Sequence, residues 1–188
     1  MTQTETTPFA LLAKQGDADA QFNLALLYAD GKGLPQDYER ARYWHRQAAR
    51  QGHAAAQYSP ALMHHKGLGI PPDNAKTARW YRMAAEQGHQ AAQFNLAILY
   101  DEGLGVPHDP VMAYVWFFLA GSQGKKGKAI PHKSTDSVWF RLSYSRSKVG
   151  QAAQGYRDRI ALKLTDPERQ RAERLAREYY AQYVLPFR

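Results

Sequence analysis

The chain has no cysteine, so disulfide staples, thiolate metal sites and thiol nucleophiles are excluded. It has no apolar run approaching the roughly 18–20 residues that cross a bilayer. Its opening stretch, MTQTETTPFA, lacks the charged and apolar regions of a secretory leader. The expectation is a cytoplasmic protein, or a periplasmic one if a leader preceded this sequence. Acidic residues are in deficit, with 17 Asp and Glu against 25 Lys and Arg and a formal charge of +8. Apolar residues, 44% of 188, suffice for a continuous core in one domain or one short array.

One segment recurs three times at a spacing of 36 residues: AQFNLALLYADGKGLPQD from Ala20, AQYSPALMHHKGLGIPPD from Ala56, and AQFNLAILYDEGLGVPHD from Ala92. The same register aligns Trp44 with Trp80 and Trp116, Ala48 with Ala84 and Ala120, and Gly52 with Gly88 and Gly124. A period of this length indicates stacked supersecondary units, none able to bury its apolar face alone. Each unit reads as a helix hairpin. In the first, Phe22, Leu24, Ala25, Leu27 and Tyr28 lie around more than one helix face, as they do where neighbours cover both sides. Gly31, Gly67 and Gly103 then supply a left-handed cap. Pro35, Pro71 and Pro107 bar continuation, and Asp37, Asp73 and Asp109 are placed to cap a second helix by accepting its free backbone N–H groups. Ala41, Ala48, Ala84, Ala113 and Ala120 permit close helix approach, and Trp44, Trp80 and Trp116 are expected to fill the space between hairpins.

These residues resemble the Sel1-like repeat, a relative of the tetratricopeptide repeat, over residues 18 to 124. The shared pattern is an early Ala, a Leu before a small residue, Tyr, a Gly-x-Gly turn, Pro-x-Asp, then Trp and paired Ala before Gly. The resemblance implies an all-α, right-handed superhelical solenoid of antiparallel helix pairs, with first helices lining a concave surface and a role in assembling protein complexes. Placed on the tetratricopeptide pattern, the lining comprises Phe22, Leu26, Asp30, Tyr58, Leu62, His65, Phe94, Asn95, Ile98 and Asp101. Phe22, Tyr58 and Phe94 share one register, so core packing competes with ligand contact there. The divisions expected are a leading half-repeat at 7–16, full repeats at 17–52, 53–88 and 89–124, an insertion at 125–149, and a C-terminal repeat with capping helix at 150–188. The missing cysteines separate the chain from the family's cysteine-rich secreted branch.

Outside the repeats, Phe9 to Gln15 reads as the second helix of an unfinished leading hairpin, because Gly16 lies 36 residues before Gly52. QAAQ at Gln151 echoes QAAQ at Gln90 after 61 residues, so about 25 have been added, Lys125 to Val149. Beyond them Ala152 to Leu164 reads as helix, and Thr165, Pro167 and Glu168 open a final helix running to about Tyr183. The addition carries +6 of the total charge, from Lys125, Lys126, Lys128, Lys133, Arg141, Arg146 and Lys148 against Asp136, and it also holds Trp139, Phe140 and Tyr144. Lys125, Lys126, Lys128, Lys133, Trp139 and Arg141 are therefore candidate partner contacts. Such a segment suits an acidic protein surface or a nucleic acid. Equally, Val138, Trp139, Phe140 and Leu142 echo Val115 to Leu119 and suit an extra packing helix.

Chemistry is harder to place. Ala120, Ser122 and Gly124 form a variant of the nucleophile elbow, but Ser122 ends a repeat's second helix where that motif needs a preceding strand. His64 and His65 point about 100° apart on a helix and do not share one metal readily. No catalytic residue, cofactor or metal is expected. The middle repeat departs from its neighbours, with Pro60 for Leu24 and Leu96, Ser59 for Asn23 and Asn95, His64 for Tyr28 and Tyr100, and Thr77 for Ala41 and Ala113. A proline inside a helix costs about 3 kcal/mol, so either a tolerated kink or a functional bend at the array's centre is expected, the latter presenting His65 and Lys66. The reading is a monomeric, non-catalytic scaffold or adaptor that binds a protein or peptide on its concave face, a bacterial immunity protein being one form of it. A nucleic-acid or anionic-surface binder acting through 125–149 is the alternative.

Overall fold

The computed structural model describes residues 8–123 and 146–187. Every element among them is helical. A short α1 (Pro8–Lys14) precedes three hairpins, which are α2 (Ala18–Asp30) with α3 (Tyr38–Arg50), α4 (Ala54–Lys66) with α5 (Asn74–Glu86), and α6 (Gln90–Glu102) with α7 (Pro110–Ser122). Two further helices, α8 (Arg146–Ala161) and α9 (Asp166–Tyr183), close the array, with a 3₁₀ turn at Leu185–Phe187 after them. Each helix packs on the one before it from α1 to α7, and both α8 and α9 pack on α7. The chain is an all-α solenoid of helix pairs.

The punctuation acts as the residue types require. Gly31, Gly67 and Gly103 take φ of 69°, 68° and 68° and return their N–H groups to Leu27, Met63 and Leu99. Asp37, Asp73 and Asp109 accept from the backbone N–H groups of Arg40, Lys76 and Met112 at 2.9, 2.9 and 3.0 Å. The N–H of Thr165 donates to Glu168 at 2.9 Å, closing the box that opens α9. The helix read as starting near Ala152 begins earlier, at Arg146. Helix α4 runs through Pro60 as one helical segment, so the proline does not divide it.

Between hairpins the packing is shifted by one residue from the sequence expectation. Trp44 and Trp80 are only partly buried against the core, whereas their successors His45 and Tyr81 are fully enclosed, at 0% and 1% exposure. In the third hairpin both Trp116 and Phe117 are buried. The C-terminal helices make the difference. Residues Tyr179 and Tyr183 of α9 lie against Trp116 at 5.7 and 6.1 Å between ring centroids, and Tyr156 of α8 stacks on Phe117 at 5.1 Å. Helix α7, enclosed by α6, α8 and α9, is accordingly apolar almost all round. At the far end α9 keeps Arg171, Glu173, Arg174 and Glu178 in solvent. It buries only Ala172 and Ala176 deeply, as the outer cap of a solenoid must.

A polar ladder runs through this apolar stack. Gln21, Gln57 and Gln93 are buried near the starts of the first helices, and each donates to a carbonyl of the preceding helix, from Ala13, Ala49 and Ala85. Each also accepts from the glutamine 30 residues later, Gln51, Gln87 and Gln123, at 2.7–2.9 Å. Every rung thus joins the start of one hairpin to its end. Buried amides are tolerable because they are paired at both ends.

Candidate interaction surface

The residues expected to line a groove separate into two sets. Phe22, Tyr58 and Leu62, expected among the lining residues, are buried at 4–5% exposure and pack in the core. For the two aromatic residues the physical reason is enclosure by the second helix of the same hairpin and by the first residue of the next repeat. Phe22 stacks on His53 at 4.7 Å and lies 5.5 Å from His45, while Tyr58 stacks on His89 at 4.6 Å and meets Tyr81 at 5.5 Å. The histidines are held for this contact by a second task, since His53 Nδ1 and His89 Nδ1 accept from the backbone N–H groups of Ala56 and Ala92 and so cap α4 and α6. Burial lowers the pKa of His53 in spite of Asp19, whose carboxylate lies 3.1 Å from its Nε2. Phe94, in the same register, is partly buried and meets Phe117 and Tyr156 edge-on at 5.4 and 5.5 Å.

The second set retains accessible surface. Leu26 and Ile98 are partly buried against the core, Asp30, Asn95 and Asp101 are half-buried, and His65 is exposed. The Asn95 amide donates to the Tyr58 hydroxyl at 3.2 Å, so its free surface is what remains after that bond. These side chains lie on the three first helices, which the hairpins hold in one repeating register.

Lys125, Lys126, Lys128, Lys133, Trp139 and Arg141 lie outside the described residues, as do Val138, Phe140 and Leu142. Of the same segment Lys148 is exposed and Val149 is buried. Ser122 is the last residue of α7, and its hydroxyl donates to the Leu119 carbonyl at 2.9 Å, the bond of a helix end and not of a nucleophile elbow. Among the described residues no cluster of three His, Cys, Asp or Glu side chains could hold a metal ion, and no helix is long and apolar enough to cross a membrane.

Sequence reasoning missed the glutamine ladder and the capping histidines. The signal was present, since Gln21, Gln57 and Gln93 recur at the repeat period, as do Asp17, His53 and His89. A polar residue at a fixed register that periodicity assigns to the interior must be satisfied there, and that is the rule which would have found them.

Stacked hairpins with a buried seam and an accessible first-helix face define a helical-repeat protein. The Sel1 repeat family model matches residues 18–53, 54–89 and 90–125, more than half of the chain. The chain belongs to the Sel1 repeat family. Sel1 repeat proteins generally mediate protein–protein interaction and are typically non-catalytic. Among solved structures, the chain is similar to a Sel1 repeat protein from Oxalobacter formigenes at 36% identity and a TM-score of 0.58, covering 63% of this chain and 89% of that one. It is also similar to c5321, a protective antigen of uropathogenic Escherichia coli strains displaying an SLR fold, at 27% identity and a TM-score of 0.56. That likeness covers 93% of this chain but only 40% of c5321. No curated protein matches.

Proposed function

We propose that the chain is a non-catalytic scaffold that binds a protein or peptide across the first helices of its three repeats. The observation that carries this reading is the set of side chains left accessible on the first helices after the hairpins have packed, with Leu26 and Ile98 at one register and His65 and Asp101 at another. Leu26 and Ile98 supply apolar contact, with Asp30, Asn95, Asp101 and His65 around them. A mixed apolar and polar patch is the usual make-up of a non-obligate interface. The basic segment 125–149, with its charge of +6, favours a partner with acidic surface, because charge of that density speeds encounter.

The test is affinity capture with the full chain against a Leu26→Glu, Ile98→Glu double variant. Neither side chain is deeply buried, so the variant should keep its circular dichroism spectrum and lose about tenfold in partner affinity. Undiminished capture by a folded variant would remove the first-helix face as the site.

A further inference from the structure

A cavity of about 180 Å³ lies where the first repeat meets the middle one, lined by Arg42 and Arg46 from the first and by Pro60, Met63, His64, Ile70, Lys76 and Trp80 from the middle repeat. Two of these, Pro60 and His64, are positions at which this repeat departs from its neighbours. The register explains both the space and its charge. In the first repeat the Tyr28 hydroxyl accepts from Arg40 at 3.4 Å, with the guanidinium over the ring. In the third, the Tyr100 hydroxyl accepts from Arg82 at 2.6 Å, again with the guanidinium near the ring face. Thirty-six residues separate Arg40 from Lys76 and Arg46 from Arg82. Around His64 both registers therefore hold a cation, Lys76 from its own repeat and Arg46 from the repeat before, with Arg42 added, but the tyrosine is replaced by the shorter His64.

The charges facing His64 can be counted from each neighbouring element. From α3 come Arg42 and Arg46, from α5 comes Lys76, and Asp73 is the acidic group beside them. Lys76 is paired with Asp73 at 2.9 Å, and Arg42 reaches Glu39 only at 3.9 Å. Arg46 makes no ion pair among the described residues. His64 Nδ1 is buried without a hydrogen-bond partner. Burial and these cations hold the His64 pKa below its ordinary value, so the ring is neutral near pH 7 and its unpaired nitrogen has room to take a proton when an anion arrives.

We infer that this cavity is an anion site for a phosphate group carried on an apolar body, with Arg46, Arg42 and Lys76 holding the phosphate oxygens and Trp80, Pro60, Met63 and Ile70 lining the remainder. A dianion fits better than a carboxylate because three cations face one acidic group, and guanidinium forks match phosphate oxygens. Pro60, Met63 and His64 share helix α4 with His65, but none of the lining residues is among the contacts assigned to the scaffold reading, so this inference and that reading stand or fall separately.

The experiment titrates the full chain with inorganic phosphate and with phenyl phosphate, against sodium chloride at matched ionic strength, following the His64 imidazole resonances by NMR. Saturable shifts with a raised His64 pKa are expected for phosphate and not for chloride. Tighter binding of phenyl phosphate assigns an organic phosphate, whereas saturation by inorganic phosphate alone assigns the free ion and overturns the apolar-body element. Arg46→Gln, at an exposed side chain, should weaken binding about tenfold, a typical loss for one charged hydrogen bond. His64→Tyr should fill the cavity, give Arg46 the hydroxyl that Arg82 has, and abolish the effect with no loss in melting temperature. Its readout is a fluorescence titration of Trp80, since the His64 signal is gone. A response to phosphate no different from chloride, or unchanged binding by Arg46→Gln, overturns the proposal.

Discussion

Phe117→Ala should lower stability by about 3–5 kcal/mol, the range for deep truncation of a large aromatic, while Trp80→Ala should cost clearly less. The two residues exchange the ranking that size alone would give them. Phe117 has 0% exposure, stacks on Tyr156, and lies where α6, α7 and α8 meet, so its loss opens a void that three elements must close. Trp80 borders a cavity already present and is partly exposed, so fewer of its contacts are irreplaceable. Chemical denaturation of both variants checks this. Equal losses would show that the tryptophan register, not the one after it, carries the contact between hairpins.

Gly105→Ala should be comparably damaging, and for a different reason. Gly105 has φ of 71°, and a Cβ built there would collide with the backbone of Asn74 and Ala75 at the start of α5. Backbone cannot swing aside as a side chain can. Left-handed strain of about 1–2 kcal/mol and overpacking of about 1–3 kcal/mol together give a loss of about 2–5 kcal/mol. Gly33, the same position in the first hairpin, has φ of 80° and nothing within 4 Å of its Cβ, so Gly33→Ala should show the strain alone. Thermal melts of the pair measure the difference, which is the contribution of one hairpin's loop seated on the hairpin before it. Matching melts would mean that this seat is not tight.

The repeat, the Gly and Asp caps of its hairpins and the order of its helices were legible because each depends on local chemistry. A Gly that needs positive φ, an Asp that accepts from a free N–H, and a Pro that bars continuation act within a few residues of themselves, and all recur on one period. The side a residue faces was less legible. Phe22, Tyr58 and Leu62 sit on the first helices as expected, but whether a first-helix side chain meets a partner or the next repeat depends on that neighbour's rotation, which sequence spacing does not contain. The tryptophans erred for the same reason by one position, about 100° of helix. Pro60 was legible as an anomaly, and its consequence was not. Helix α4 tolerates it, and Pro60 lines the cavity that His64 leaves where its neighbours have tyrosine, visible only once Arg46 and Lys76 are brought in from α3 and α5.

The charge of +8 is similarly incomplete as a guide to partners. Most of it is concentrated in 125–149, beside repeats that are nearly neutral, so a uniformly basic surface coating a polyanion is not the picture. The first-helix face presents Asp30 and Asp101 together with apolar Leu26 and Ile98, a composition that suits a protein and would repel a phosphate backbone.

The most direct measurement of the scaffold function is the affinity of the captured partner for the full chain as ionic strength is raised through the physiological range. Contact on a mixed apolar and polar helix face, with the basic segment only steering encounter, predicts a modest rise in the dissociation constant that is carried by a slower association rate at an unchanged dissociation rate. A linear fall of log affinity with log salt, with the steep slope of many released counterions, would contradict it and transfer the binding function to the basic segment.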